Sequence, residues 1–285
     1  MSELVHIDGV PRPRPSPAEV ARITFNLTVV CLLGGVVLGG VYLGTERIAA
    51  AGRLAGERRA LGELLSLQDG EPLLVVEQSL DAAHDAVVYR ASTWGDEHAP
   101  AREQSFALDG TARAATPGEA RTLTPLGRMF VAGTPAAPRG FVLEGESRGY
   151  KNRIRFFVAL DAQFTVCGVR VLEHEEDPGL GAEVATRAFL GQYLGRDSAS
   201  VAKLDVTRDP LPEDWRTALA ALATTEPGPW RQAHAELVAR ESAQPVHAVT
   251  GATISSRALT TGVKRTIEHF RRRWALVRPW LEGTS

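Results

Sequence analysis

The sequence predicts an α+β fold: a single N-terminal transmembrane helix, then a domain of antiparallel strands flanked by helices. Three observations predict it. Residues 23–45 carry no charge, short β-like runs follow as far as residue 172, and helical stretches fill most of the remainder. Strands first and helices afterwards, without regular βαβ alternation, is the α+β pattern. The chain divides into an N-terminal tail (1–22), a transmembrane helix (23–45), a juxtamembrane helix (46–66) and a domain over 67–285.

The uncharged run, ITFNLTVVCLLGGVVLGGVYLGT, is bracketed by Arg22 and Glu46. As a helix it spans roughly 34 Å at about 1.5 Å per residue, enough for a hydrocarbon core of about 30 Å. Two readings compete: a cleaved signal peptide, with Ala49-Ala50-Ala51 as its cleavage site, and a buried core helix. The run is longer than the roughly 7–15 residues of a signal-peptide core. Gly35 and Gly39, like Gly40 and Gly44, stand four apart, a spacing that lets a second membrane helix come close. Arg12, Arg14 and Arg22 precede the span, while Arg47, Arg53, Arg58 and Arg59 follow it. The positive-inside count therefore leans against an extracytoplasmic domain.

Residues 46–66 are rich in Ala, Leu, Arg and Glu, all good helix formers. Beyond them, 73–76, 86–89, 129–131 and 140–143 read as strands. The stretches 93–126 and 133–139, rich in Pro, Gly, Ala and Thr, read as loops. Residues 154–160 and 164–172 read as a hairpin joined at Asp161-Ala162-Gln163. Helical stretches follow at 184–194, 213–224 and 230–241, punctuated by the Pro-rich segment 225–229. A last helix spans 256–274, where Leu259, Val263, Ile267, Phe270 and Trp274 mark one apolar face.

Composition narrows the function. Net charge is −2 with no long basic run, which gives no support to nucleic-acid binding. The two cysteines, Cys31 and Cys167, cannot hold an iron–sulfur cluster, and no haem-attachment motif is present. A redox cofactor here is organic or belongs to a partner.

Two segments carry chemistry. The first is EHEEDPGLG, straight after the second hairpin strand. Pro178, Gly179, Leu180 and Gly181 break that strand, and the glycines permit backbone angles closed to other residues. A turn of this kind serves close approach to a planar ligand, or is a plain strand-to-helix connection. His174, Glu175, Glu176 and Asp177 alternate faces on an extended chain, so they do not converge on a metal. The second segment is Thr250-Gly251-Ala252-Thr253-Ile254-Ser255-Ser256. Its hydroxyls can bond phosphate oxygens, its small residues admit a ligand, and a helix start favours an anion. The same residues also suit an ordinary helix cap.

Together the two segments resemble the FMN-binding domain family. That family is shared by the G subunit of the Rnf ion-translocating electron transport complex and the C subunit of the sodium-translocating NADH:quinone reductase. The Rnf G subunit is the nearer resemblance, through H-E-E-D-P-G-L-G, T-G-A-T and the continuation I-S-S-R-A-L. It covers about residues 149–273 and includes Gly149-Tyr150. The resemblance implies FMN esterified through its phosphate to Thr253 by a flavin transferase, with the flavin drawn from FAD. It implies that Thr250, Gly251 and Ala252 form the loop at the phosphate, with Ser255 and Ser256 beyond. It implies that Pro178, Gly179, Leu180 and Gly181 lie against the isoalloxazine, with Glu176 nearby. It also implies a periplasmic domain on the inner membrane, other Rnf-type subunits as partners, and an electron relay coupled to ion movement. Two positions depart from the pattern. Asp177 replaces a usual Thr, and His247 replaces the Asp six residues before the modified Thr. Two other readings stay open: a membrane-anchored structural or binding subunit without covalent flavin, and a free-standing flavin reductase.

Overall fold

The computed structural model describes residues 16–66, 71, 73–94, 100–113 and 122–283. Arg12 and Arg14, counted in the charge balance above, lie outside them, as does most of the tail 1–22. The chain forms two units, Met1–Ala55 and Gly56–Ser285.

Helix α1 (Pro17–Leu65), whose last ten residues or so belong to the second unit, is already formed at Pro17. Its segment Pro17–Thr45 is long and apolar enough to cross a membrane, and none of its most apolar window is buried by protein. Ser16 and Glu19 cap its start reciprocally, each side chain accepting from the other's N–H. Thr24, Thr28 and Thr45 donate their hydroxyls to the carbonyls of Val20, Thr24 and Val41 at 2.8–2.9 Å. Satisfied inside the helix, these groups are compatible with an apolar surrounding. The sequence suggests two helices, 23–45 and 46–66. A single element runs through Thr45 because the composition changes there without a helix breaker.

The second unit is built on one antiparallel sheet of eight strands, ordered β4-β3-β2-β1-β5-β6-β7-β8. The strands are β1 (Leu73–Asp81), β2 (Ala86–Thr93), β3 (Arg102–Ala107), β4 (Ala112–Arg113), β5 (Leu123–Gly133), β6 (Pro138–Arg148), β7 (Arg153–Asp161) and β8 (Val166–Glu173). Strands β3 and β4 fall inside the stretch read as a loop; β3 pairs with β2 through Phe106 opposite Val87. Phe164, expected in a strand, has φ +63° and sits in the β7–β8 turn. Asp161 Oδ1 closes that turn by accepting from the N–H groups of Gln163 and Thr165, each at 2.9 Å.

Both sheet faces are covered. On β7, Ile154, Phe156, Val158 and Leu160 face one way, and Phe157 and Ala159 face the other. This is the two-residue period of a strand. The first face packs on helix α7 (Thr253–Glu282) through Leu259, Val263, Ile267, Phe270 and Trp274. The second packs on Ala60 and Leu61 at the end of α1. Glycine lets α7 lie close to β6: a Cβ at Gly262 would stand 2.8 Å from Ser147 Cβ and about 3.0 Å from the Phe156 ring.

Between β8 and α7 the chain forms a short 3₁₀ turn (Gly181–Ala185), α2 (Arg187–Gly191), α3 (Ser198–Ala202), β9 (Val206–Thr207), α4 (Glu213–Ala221), α5 (Pro227–Ala233), α6 (Ala235–Glu241) and β10 (Val246–His247). Trp215, Leu219 and Trp230 form a core of their own here, where Trp230 Nε1 donates to Ala218 O at 2.7 Å. The buried guanidinium of Arg196 ties the carbonyls of Gln192, Ser242 and Gln244 together at 2.7–2.9 Å. These bonds fix the path of the chain into β10.

Candidate functional site

The two segments singled out in the sequence meet at the start of α7. After β8 the chain turns through Asp177–Leu180, with Gly179 at φ +74°. Glu176 is buried behind this turn and accepts from the N–H groups of Tyr150 (3.2 Å) and Lys151 (3.0 Å) and from Ser255 Oγ. One carboxylate thus joins the β6–β7 turn, its own turn and the first turn of α7. Its burial alone would raise its pKa, but the bonds from Ser255, Lys151 and Tyr150 outweigh burial and lower it. Gly181 is required against it, since a Cβ there would stand 2.9 Å from the Glu176 side chain. Leu180 lies over Gly251, whose φ is +81° and where a Cβ would meet Leu180 Cδ2 at 2.9 Å.

The loop before α7 is held from both ends. Strand β10 pairs in parallel with β9. The Gln192 amide brackets His247, accepting from its N–H at 2.8 Å and donating to its carbonyl at 3.2 Å. His247 Nδ1 lies 2.9 Å from the Asp209 carbonyl, so that nitrogen carries the proton. Buried Ser256 accepts from Val249 N–H (3.0 Å) and donates to Ala252 O (2.9 Å). Thr253 is the first residue of α7 and half-buried, and its hydroxyl has no side-chain or backbone partner among the described residues. Ala252 supplies no side-chain cap. The first N–H groups of this 30-residue helix, beside the Thr253 hydroxyl, therefore have no side-chain cap.

The structure brings Gly251, Ala252, Thr253, Ser255, Ser256, Leu180, Gly181 and Glu176 into one cluster. Thr250, Pro178 and Gly179 are exposed at its edge. Ser255 and Ser256, expected to offer hydroxyls to a phosphate, direct them inward to Glu176 and to the loop backbone. They shape the loop instead of extending from it. The acidic run diverges onto separate partners: Glu175 takes Asn152, Asp177 pairs with Lys151, and His174 Nδ1 accepts from Glu176 N–H.

A cavity of about 470 Å³ opens beside Thr253, lined also by Ser147, Arg148, Arg208, Ile254, Arg257 and Arg265. Sequence reasoning missed these arginines. Thr253, Arg257, Thr261 and Arg265 recur every fourth residue, a polar stripe readable as one helix face. Arg148 and Arg208 arrive from β6 and from just beyond β9, and no local signal places them. A free hydroxyl, an uncapped helix start and arginines around one cavity fit a phosphate-bearing flavin.

Residues 149–268 match the FMN-binding domain family model. The chain is 24% identical over 250 residues to the G subunit of the proton-translocating ferredoxin:NAD(+) oxidoreductase complex of Clostridium ljungdahlii, covering 88% of this chain and 91% of that one. It is 29% identical over 147 residues to the G subunit of the ion-translocating oxidoreductase complex of Cereibacter sphaeroides, spanning 51% of this chain and 53% of that protein. Among solved structures it is similar to Shewanella oneidensis NqrC, with TM-score 0.45, 15% identity and coverage of 82% of this chain and 99% of that one.

Proposed function

We propose, from the membership of residues 149–268 in the FMN-binding domain family, that this chain is a membrane-anchored electron-relay subunit of an ion-translocating oxidoreductase of the Rnf type. In this reading FMN is held by a phosphoester on Thr253. The observation that carries the attachment site is the unpartnered Thr253 hydroxyl at the uncapped start of α7. The names of the relatives support the complex, with its other membrane subunits as partners and electron flow of the ferredoxin:NAD type. Helix α1 supports a membrane anchor. We place the domain on the periplasmic side of the inner membrane.

FMN, once bound, supplies the electron transfer. The protein supplies position. Attachment would join Thr253 Oγ1 to the FMN phosphorus as the pyrophosphate bond of FAD breaks, with AMP as the leaving group and the hydroxyl proton passing to the flavin transferase or solvent. The helix N-terminus stabilises the phosphodiester charge that results. Ser256 and Glu176 hold the loop and the P-G-L-G turn at fixed separation. Leu180, 49% exposed, and Ile254, 59% exposed, offer apolar surface to the ring system. No general base or nucleophilic triad is needed.

A second reading rests on His247, which stands where the family pattern has a carboxylate. Its ring is turned to Asp209 O, so the loop is anchored without one. A chain that keeps the fold but escapes modification would be colourless even beside an active transferase. Coexpression with a flavin transferase, followed by in-gel flavin fluorescence, separates the two. The carrier reading expects a fluorescent band that Thr253→Ala abolishes; a band that persists in that variant assigns the ester elsewhere.

A further inference from the structure

We propose that the cavity beside Thr253 is a phosphate pocket that docks a phosphorylated flavin before the ester forms, with Arg148, Arg208 and Arg257 as its charge-bearing residues. This deepens the carrier reading and rests on it for the identity of the ligand.

The first observation is a contrast in charge pairing. Several guanidinium groups in this unit sit on carboxylates, as Arg128 on Glu144 at 2.7 Å, Arg155 on Glu144 at 2.6 Å, Arg170 on Glu63 at 2.8 Å and Arg240 on Asp214 at 2.6 Å, while Arg102 and Arg196 are held by backbone carbonyls. Around the cavity no carboxylate compensates Arg148, Arg208 or Arg257 among the described residues. Arg265 has only the Glu146 carbonyl, at 2.9 Å. Like charges gathered around one space repel one another, and an anion in that space removes the cost.

The second observation is independent. Ser147 lines the cavity and is 8% exposed, and its buried hydroxyl has no hydrogen-bond partner among the described residues. An unpaired buried hydroxyl at the cavity wall is destabilising until it gains a partner. The third is that Thr253 and Ile254, the first two residues of α7, line the same space. The volume of about 470 Å³ is that of a small-molecule site.

Charge fixes the stage at which the pocket acts. The finished ester carries one negative charge, whereas a free phosphomonoester carries about 1.5–2 and the pyrophosphate of a flavin dinucleotide carries about two. An excess of uncompensated arginines matches the flavin before bond formation better than after it. Arg257 lies one helical turn beyond Thr253, so a phosphate held by it stands next to the accepting hydroxyl.

The test uses the full chain in detergent, made without a flavin transferase so that Thr253 is free. Riboflavin, FMN and FAD are titrated by flavin fluorescence at low and high salt, with inorganic phosphate as competitor. The pocket predicts that FMN and FAD bind at least about tenfold tighter than riboflavin, a gap of about 1.4 kcal/mol. It predicts that salt narrows the gap and that phosphate displaces FMN. Arg148→Ala with Arg257→Ala should erase the preference, and Arg257→Lys should keep part of it. Arg148, Arg208 and Arg257 are exposed, so unchanged thermal midpoints will show that the variants fold. Equal binding of riboflavin and FMN, no binding of either, or a preference that survives the double variant each overturns the pocket. Intact mass after coexpression with a transferase judges the carrier reading separately. A modified Thr253 without phosphate preference sinks the pocket alone; a bare Thr253 with phosphate preference sinks the carrier reading alone.

Discussion

Glu176 and Ser255 stand 79 positions apart in the chain, yet the Ser255 hydroxyl donates directly to the buried Glu176 carboxylate. That bond joins the P-G-L-G turn to the first turn of α7. It makes the two halves of the proposed flavin site one mechanical unit.

Replacing Glu176 by Gln should therefore cost about 2 kcal/mol, the range for hydrogen bonds to a charged group. The folded-state pKa of Glu176 is depressed, because the bonds from Ser255, Lys151 and Tyr150 outweigh burial. Its stabilisation is then fully present above the pKa of an unfolded carboxylate and is lost as pH falls through the lower folded value. Thermal unfolding of both proteins between pH 7 and pH 3 should show their difference shrinking only at the acid end. A difference that is constant with pH would mean that the carboxylate charge contributes nothing.

Ser256→Ala removes the group that closes the loop before Thr253. Val249 N–H loses its acceptor, and a destabilisation of about 1–3 kcal/mol follows. Amide exchange should quicken at 249–252 before it does in the sheet. Flavin loading should fall although Thr253 is untouched. Loading equal to wild type would show that the loop needs no such brace.

Gly262→Ala tests the close approach of α7 to β6. Alanine improves helix propensity by about 1 kcal/mol, but its Cβ would meet Ser147 Cβ at 2.8 Å in a packed interface. Overpacking of that kind costs about 1–3 kcal/mol, so the net effect is a loss. Gly228→Ala in α5, with nothing within 4 Å of the new Cβ, is the control and should be neutral or stabilising by up to about 1 kcal/mol. Thermal midpoints that fall by the same amount in both would refute the packing argument.

His247→Ala removes the ring bonded to Asp209 O, one net hydrogen bond worth about 1 kcal/mol. The Gln192 bracket acts on the His247 backbone and survives the change. Stability should fall slightly while the loop keeps its place, seen as unchanged exchange at 250–253. Fast exchange there would assign the ring a larger share of the loop's anchoring.

Periodicity makes much of this fold legible. Leu259, Val263, Ile267, Phe270 and Trp274 do face the sheet, and the hairpin at 154–172 pairs as its alternation indicates. Helix α7 starts three residues before the Ser256 that the sequence suggests, because Ala252 caps it with no side chain and Ser256, which looks like a cap, is an internal brace. Strands β3 and β4 are hidden in the sequence because their alternation is short and lies amid Pro, Gly and Thr. In the site, the motif residues are legible because their spacing is local. Arg148 and Arg208 are not, since only the path of β6 and the β9–β10 pairing carries them to Thr253.

The ester itself is tested most directly by intact mass of the purified full chain after coexpression with a flavin transferase, with peptide mapping across 250–257. The account predicts one added FMN less one water, located on Thr253. An unmodified mass, or the flavin mapped to any other residue, would contradict it.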